Sequence, residues 1–200
     1  MKTFFLATAS LCALALSTTA YAEDAANGVE ELVVVATRSP QRADRIGQQV
    51  TVIKQAELEA RQAVVVSDLL VETPGVALSR NGGIGGVTAL RVRGAETDQT
   101  LVVVDGVKLN DPSGPGGGYN FANLMAGDIA RIEVLRGAQP TLWGSQAIGG
   151  VVNVVTAEPT SAFGGQASLE GGSQGTGYAR AAVGGRTERL DWRLAGGAFT

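Results

Sequence analysis

Short β-branched segments alternate with glycine- and proline-containing turns through most of this chain, and this pattern limits the fold more than any other feature. Helical character is confined to residues 55–62 and to a short segment that Ser67 is expected to cap and Pro74-Gly75 to end. Asp105-Gly106 is a strong hairpin signal. Strands are predicted at residues 50–53, 76–79, 89–93, 101–104, 107–109, 131–135 and 151–156. The sequence therefore predicts short strands with few helices.

The first 22 residues have the composition of an export signal. Lys2 supplies a positive start, residues 4–16 are almost wholly apolar or small, and Ala20-Tyr21-Ala22 fits a signal-peptidase site. A buried helix is the alternative. Met1 at the head of the segment, an apolar run of only about 13 residues and the A-x-A ending favour a signal peptide instead. We predict that the signal peptide is residues 1–22, that Glu23 is the first mature residue, and that the protein is exported.

The composition argues against most enzyme classes. The chain has no histidine, and its one cysteine, Cys12, lies inside the predicted signal. Catalysis by Ser-His-Asp or Cys-His and zinc sites of His and Cys are thereby excluded. The glycines at 82–86 lack the spacing of a dinucleotide loop. We predict no enzymatic activity, no catalytic residue, no metal site and no cofactor, and the net charge of −3 gives no reason to expect nucleic acid.

The last forty or so residues have a different texture. Residues 166–172, 178–184 and 190–199 are three strand-length segments separated by short polar turns. In the third, Leu190, Trp192 and Leu194 share one face, and Asp191 and Arg193 share the other. This alternation is typical of a transmembrane barrel strand with one face in lipid, although the edge of a soluble β-sandwich can show it too.

A short β-branched run stands apart near the mature N-terminus. Residues 23–30 are small and acidic, as in a flexible leader, and the run comprises Glu30, Glu31, Leu32, Val33, Val34, Val35 and Ala36. Pro40 follows in a polar stretch and blocks pairing into a central strand. A strand this isolated is either packed against the domain or offered to a partner.

Several segments, in a fixed order, match the motifs of one family. They are S-D-L-L at 67–70 with T-P-G-V at 73–76, R-V-R-G at 91–94, L-V-V-V-D-G-V-K-L-N at 101–110, and R-I-E-V-L-R-G at 131–137 with L-W-G-S-Q-A-I-G-G-V-V-N-V-V-T at 142–156. Over residues 30–157 the chain resembles the plug of TonB-dependent outer-membrane receptors. Ala138 and Trp143 depart from the family pattern, in which Pro and Tyr are common.

The resemblance implies an α+β plug domain, with a small mixed sheet and short helices, inside a transmembrane β-barrel of about 22 antiparallel strands. The expected divisions are the signal at 1–22, a leader at 23–41 with the TonB box at 30–36, the plug at 42–157 and the start of the barrel at 158–200. A barrel of that size needs more than ~200 residues, so the sequence is expected to be a fragment of a longer receptor.

The resemblance also implies the site residues. Residues 30–36 would bind the C-terminal domain of TonB in the periplasm by strand addition. Arg93 and Arg136, each followed by glycine, would face carboxylates on the inner barrel wall. Cargo would be contacted from two glycine-rich loops, at 81–86 and 111–119. The predicted contacts are Asn81, Gly82, Gly83, Asn110, Tyr119 and Asn120.

The implied function is active uptake of a scarce nutrient across the outer membrane of a Gram-negative bacterium. The compact plug, the short leader and the V-V-V-A-T-R opening are most similar to cobalamin receptors, so cobalamin is the first expectation for the small-molecule cargo. Ferric siderophores are the alternative, since their receptors share these motifs. A free periplasmic binding module, a plug with no barrel, remains as an alternative of another class.

Overall fold

The structure is a computed structural model that describes residues 32–33, 39, 41–42, 45–111, 113 and 115–200. The predicted signal peptide and most of the leader lie outside the described residues. The strands are β1 (Leu32–Val33), β2 (Gln41–Arg42), β3 (Gln49–Lys54), β4 (Val76–Arg80), β5 (Thr88–Val92), β6 (Thr100–Val104), β7 (Val107–Lys108), β8 (Ile129–Arg136), β9 (Gly150–Thr156), β10 (Gly164–Gly171), β11 (Gly177–Arg186) and β12 (Asp191–Phe199). The α-helices are α1 (Gln55–Ala60), α2 (Val66–Leu70) and α3 (Pro140–Trp143). Short 3-10 turns lie at Thr97–Gln99, Pro115–Gly117, Phe121–Asn123 and Ser173–Gly175.

A five-stranded mixed sheet forms the centre of the first domain. Its strand order is β3-β8-β9-β6-β7. Neighbours pair antiparallel except β6 and β9, which are parallel. Strands β4 and β5 form a separate antiparallel hairpin. The interior strand β9 is buried on both faces, which is why its sequence is a nearly continuous run of apolar residues, whereas β8 also carries Arg131, Glu133 and Arg136.

Each face of the sheet supports its own apolar cluster. Ile132 and Val134 of β8 contribute to the first cluster, together with residues of α1, α2 and the β4–β5 hairpin. Leu135 contributes to the second, because successive side chains of a strand point to opposite faces. The second cluster also contains Val33, Leu101, Val103, Trp143, Ala147 and Val151.

The predicted helix cap at Ser67 is wrong. Helix α2 begins at Val66, with Val65 in the capping position and no capping hydrogen bond from a side chain. The Ser67 hydroxyl is buried and instead accepts a 2.7 Å hydrogen bond from Arg80 Nη2. The Val66 amide donates to the carbonyl of Leu124, so a neighbouring segment satisfies the start of this helix. Among the described residues, no helix is long and apolar enough to cross a membrane.

The Asp105-Gly106 hairpin is confirmed. It joins β6 to β7 through the pair Val104 and Val107. Both turn residues have positive φ, 47° and 83°, as a tight two-residue turn requires. The Asp105 carboxylate also accepts hydrogen bonds from the backbone amide and hydroxyl of Thr156, at 2.9 and 2.8 Å. The turn thereby fastens the end of β9.

Strands β10, β11 and β12 form an antiparallel sheet with two unlike faces. Leu169 and Leu194 are 86% and 70% exposed on the outer face. Tyr178, Ala182 and Arg193 face the first domain and are far less exposed. The predicted alternation is therefore present, with the apolar face turned away from the domain.

Candidate functional site

The described part of the isolated N-terminal run is packed against the domain. Leu32 and Val33 pair antiparallel with Arg42 and Gln41. Val33 is fully buried in the second apolar cluster. The other predicted TonB-binding residues lie outside the described residues. They are Glu30, Glu31, Val34, Val35 and Ala36.

A buried polar pair lies on the sheet face that carries this second cluster. Glu133 of β8 and Asn153 of β9 are opposite one another, 0% and 5% exposed. Asn153 Nδ2 donates to Glu133 Oε2 at 3.2 Å, and Arg131 Nε donates to Glu133 Oε1 at 2.8 Å. A buried carboxylate requires such partners, since an isolated charge in an apolar interior is strongly unfavourable. Neither residue was among the site residues predicted from the sequence.

Arg93 and Arg136 lie at the same end of the sheet. Arg93 Nη2 donates to Gln49 Oε1 at 2.6 Å, and Gln49 is the register partner of Arg136. Arg136 donates to the carbonyl of Pro74 at 2.9 Å and to the Thr51 hydroxyl at 3.0 Å. Its Nε is buried without a hydrogen-bond partner among the described residues. Neither guanidinium faces a carboxylate within the described part of the chain.

The first glycine-rich loop is the exposed tip of the β4–β5 hairpin. Asn81, Gly82 and Gly83 are all exposed there. Ile84 and Val87 stand beside them, 40% and 59% exposed. Apolar side chains within a polar loop are available to an apolar ligand surface. Neither residue was among the predicted contacts, which are asparagine, tyrosine and glycine residues.

Two asparagine side chains fix the ends of the second loop to neighbouring strands. Asn120 Oδ1 accepts from the Thr88 amide at 2.9 Å and from the Ala122 amide at 3.1 Å. Asn110 Oδ1 accepts from the Val102 amide at 2.9 Å, and its Nδ2 donates to the Thr100 carbonyl at 3.1 Å. Asn120 thus links the second loop to the start of β5, just after the first loop, and Asn110 links it to β6, so both carboxamides are bonded to backbone groups.

Tyr119 lies half-buried between these two asparagine anchors. Its ring packs edge-to-face on Phe121, with 4.9 Å between the ring centroids. Burial raises the pKa of the Tyr119 phenol above its ordinary value, because the ionised form loses solvation. The phenol is therefore neutral at physiological pH, available as a hydrogen-bond donor and as an apolar surface.

One contact between the domain and the following strands was not foreseen. Arg193 of β12 forms an ion pair with Asp128, and the two side chains are 20% and 18% exposed. Arg193 was assigned to the polar face of its strand, but nothing local in the sequence indicates its partner 65 residues away. Among the described residues, no group of three or more His, Cys, Asp or Glu side chains is placed to hold a metal ion.

The motifs and this architecture agree with a known family. The family described as TonB-dependent Receptor Plug Domain matches residues 42–151. The chain belongs to this family. The predicted fold class is thereby confirmed: an α+β plug with a mixed sheet and short helices, followed by the first antiparallel strands of a barrel.

Curated relatives give a finer comparison. The chain is 38% identical over 144 residues to the Vitamin B12 transporter BtuB of Vibrio vulnificus (strain CMCP6), covering 72% of this chain and 23% of that protein. It is 39% identical over 127 residues to the Vitamin B12 transporter BtuB of Vibrio cholerae serotype O1 (strain ATCC 39541 / Classical Ogawa 395 / O395), covering 64% and 20%. The chain thus spans about a fifth of the length of these relatives.

Solved structures of similar fold include siderophore receptors. The siderophore receptor PirA from Acinetobacter baumannii has a TM-score of 0.59 at 29% identity, covering 75% of this chain and 24% of that one. The ferripyoverdine receptor of the outer membrane of Pseudomonas aeruginosa has a TM-score of 0.66 at 22% identity, covering 84% and 22%. The second likeness is one of fold alone.

Proposed function

We propose that the receptor containing this chain carries out TonB-dependent active uptake of cobalamin across the outer membrane. The observation that carries the proposal is the match of the plug family to residues 42–151, together with identities of 38–39% to proteins named Vitamin B12 transporter. The structurally similar siderophore receptor PirA has a lower identity, 29%. The sequence identities therefore favour cobalamin over a ferric siderophore.

The cargo assignment is tested by equilibrium binding to the full-length receptor in outer-membrane vesicles. Cyanocobalamin should bind, and a panel of ferric siderophores should neither bind nor displace it. Binding of a ferric siderophore without binding of cyanocobalamin would reverse the assignment. Vesicles from cells that lack the receptor are the matched control for lipid-bound ligand.

Cargo is proposed to rest on the exposed parts of the two glycine-rich loops. Asn81, Gly82, Gly83 and Tyr119 offer polar groups there, and Ile84 adds apolar surface. Asn110 and Asn120 contribute by fixing the loops, because their carboxamides are bonded to backbone groups. Asn81→Ala should therefore weaken cargo binding without lowering plug stability, whereas Asn110→Ala should lower both.

Energy coupling is proposed to act through residues 30–36. A strand that binds its partner by main-chain hydrogen bonds needs free amides, and proline removes one. Val34→Pro in the full-length receptor should abolish energised uptake while leaving cargo binding intact, and Val34→Ala, which keeps the amide, should retain most uptake. Uptake by the proline variant at the wild-type rate would disprove the assignment of this segment to TonB.

The arginines at the sheet end are proposed to meet carboxylates of the inner barrel wall. Arg136 has a buried Nε without a described partner, and such a donor is costly unless a group outside the described residues satisfies it. Charge-assisted bonds at a wet interface would hold the plug in place and still let it move. Arg136→Gln should accordingly increase the leak of small polar solutes through the full-length receptor, measured by antibiotic susceptibility.

A free periplasmic plug module is the second candidate, and the outer face of β10–β12 argues against it. Leu169, Leu194 and Phe163 are 86%, 70% and 72% exposed on one side of this sheet. In water this surface would be an aggregation site, whereas in a barrel it meets lipid. Its presence supports location in the outer membrane after export by the predicted signal peptide.

A further inference from the structure

The inner face of the first barrel strands is joined to the plug at one turn. Arg193 lies between Trp192 and Leu194, which point outward, so its guanidinium reaches the plug and forms an ion pair with Asp128. Both Arg193 Nε and Nη2 approach the same carboxylate oxygen. Each side chain is about four-fifths buried. Solvent therefore screens this pair less than it screens the exposed pairs of the same chain.

Gly127, the residue before Asp128, lets the turn approach the barrel strands closely. Gly127 lies directly under Tyr178 of β11, and a β-carbon at position 127 would stand 2.8 Å from the tyrosine hydroxyl oxygen. It would also lie 3.5 Å from Cδ of Arg180. A side chain at position 127 would require the Tyr178 side chain to move. The glycine lets the plug backbone contact the wall directly.

The turn is equally well fixed to the plug. Asp128 has a φ of 68°, a conformation that non-glycine residues seldom adopt and that Asp and Asn tolerate best. Its carbonyl accepts a 3.0 Å hydrogen bond from the amide of Ala157, just beyond β9. The next residue, Ile129, begins β8, which lies between β3 and β9 in the sheet. A force applied at Asp128 is therefore transmitted to β8, an interior strand of the plug sheet.

Contact between plug and wall is interrupted beside this turn. A cavity of about 390 Å³ separates them, bounded on the plug side by Glu59 and Met125 and on the wall side by Gln166 and Ser168. Polar groups line both sides. Attachment in this region consequently depends on Gly127 and Asp128 rather than on continuous packing.

We propose that the Gly127–Asp128 turn is an anchor that fixes β8 of the plug to the barrel wall through Tyr178 and Arg193. The inference rests on the proposed function, in which the N-terminal segment is pulled from the periplasm. Strand β3 is at the sheet edge and joined to that segment, so it can separate from β8 while the anchor keeps β8 and β9 in place. The anchor thus determines which part of the plug stays with the wall.

The test measures hydrogen exchange of the amides of β8 in the full-length receptor, without TonB and without cargo. Asp128→Asn keeps the backbone conformation and removes the charge, and Arg193→Gln removes the partner. Each should speed exchange at the start of β8 by about tenfold, the factor that corresponds to one lost hydrogen bond between charged groups. Because neither TonB nor cargo is present, the result does not depend on the transport assignment.

Arg91→Gln is the matched control, since Arg91 pairs with Glu96 on an exposed surface of the plug. It should leave exchange at β8 unchanged. If Arg193→Gln prevents barrel assembly, judged by heat-modifiable migration, Asp128→Asn alone decides, because it leaves the barrel strands unaltered. Wild-type exchange in Asp128→Asn, or an equal increase in Arg91→Gln, would overturn the anchor.

Discussion

Val33→Ala should release the N-terminal segment from the plug. Val33 is fully buried against Leu101, Leu135 and Trp143, and two residue pairs join β1 to β2 among the described residues. The substitution deletes two buried methyl groups and leaves a small cavity, so docking of the segment should weaken by about 2 kcal/mol. At 1.4 kcal/mol per tenfold change, the undocked population should rise by roughly thirtyfold.

The assay is hydrogen exchange of peptides that cover residues 30–42 in the full-length receptor, measured without TonB. Val107→Ala is the matched control, because it deletes the same two methyl groups from a side chain that is 61% exposed on the edge strand β7. Exchange should accelerate in the Val33 variant and stay at the wild-type rate in the Val107 variant. If the Val33 variant exchanges no faster than wild type, the second apolar cluster does not hold the segment and the reasoning is refuted.

Three further predictions concern the plug itself. Asn110→Ala leaves the Val102 amide and the Thr100 carbonyl without their partner, and should lower the free energy of unfolding by about 2–3 kcal/mol in chemical denaturation. Glu133→Ala removes the carboxylate that accepts hydrogen bonds from Arg131 and Asn153, and should lower the free energy of unfolding by about 3 kcal/mol in the same experiment. Burial raises the pKa of Tyr119 above 10.0, so the unfolded chain ionises this phenol at a lower pH than the folded plug does. Stability should fall as pH rises above about 10, and Tyr119→Phe should remove that part of the fall, measured by alkaline denaturation.

Local signals predicted the elements whose causes are local. The Asp105-Gly106 turn needs positive φ at both positions, and the residues that permit this are adjacent in the sequence. Runs such as 151–156 are buried on both faces and so are recognisable by composition alone. The Ser67 cap failed because Arg80, 13 residues away, takes the hydroxyl as an acceptor. A distant donor leaves no trace in the pattern around Ser67.

The sequence predicted where the two glycine-rich loops lie, but it did not predict the hydrogen bonds that their asparagine side chains make. Asn110 and Asn120 were chosen as cargo contacts because they are polar residues beside glycine-rich loops. In the structure, the side-chain oxygens of Asn110 and Asn120 instead accept hydrogen bonds from the backbone amides of Val102 and Thr88. Buried backbone groups need partners, and that need becomes visible only when β5 and β6 have been placed. The cargo contacts themselves stay a prediction.

The strand order has a consequence for how the chain folds. Arg136 bonds to Thr51 across 85 residues, and Asp105 bonds to Thr156 across 51, so the plug sheet closes large loops before it gains stability. Strands β10 to β12, in contrast, are sequential neighbours joined by short turns. Local hairpins form faster than such long-range pairings, which exposes apolar wall strands while the plug is still assembling. A newly synthesised chain of this kind should therefore depend on holding chaperones until the sheet has closed.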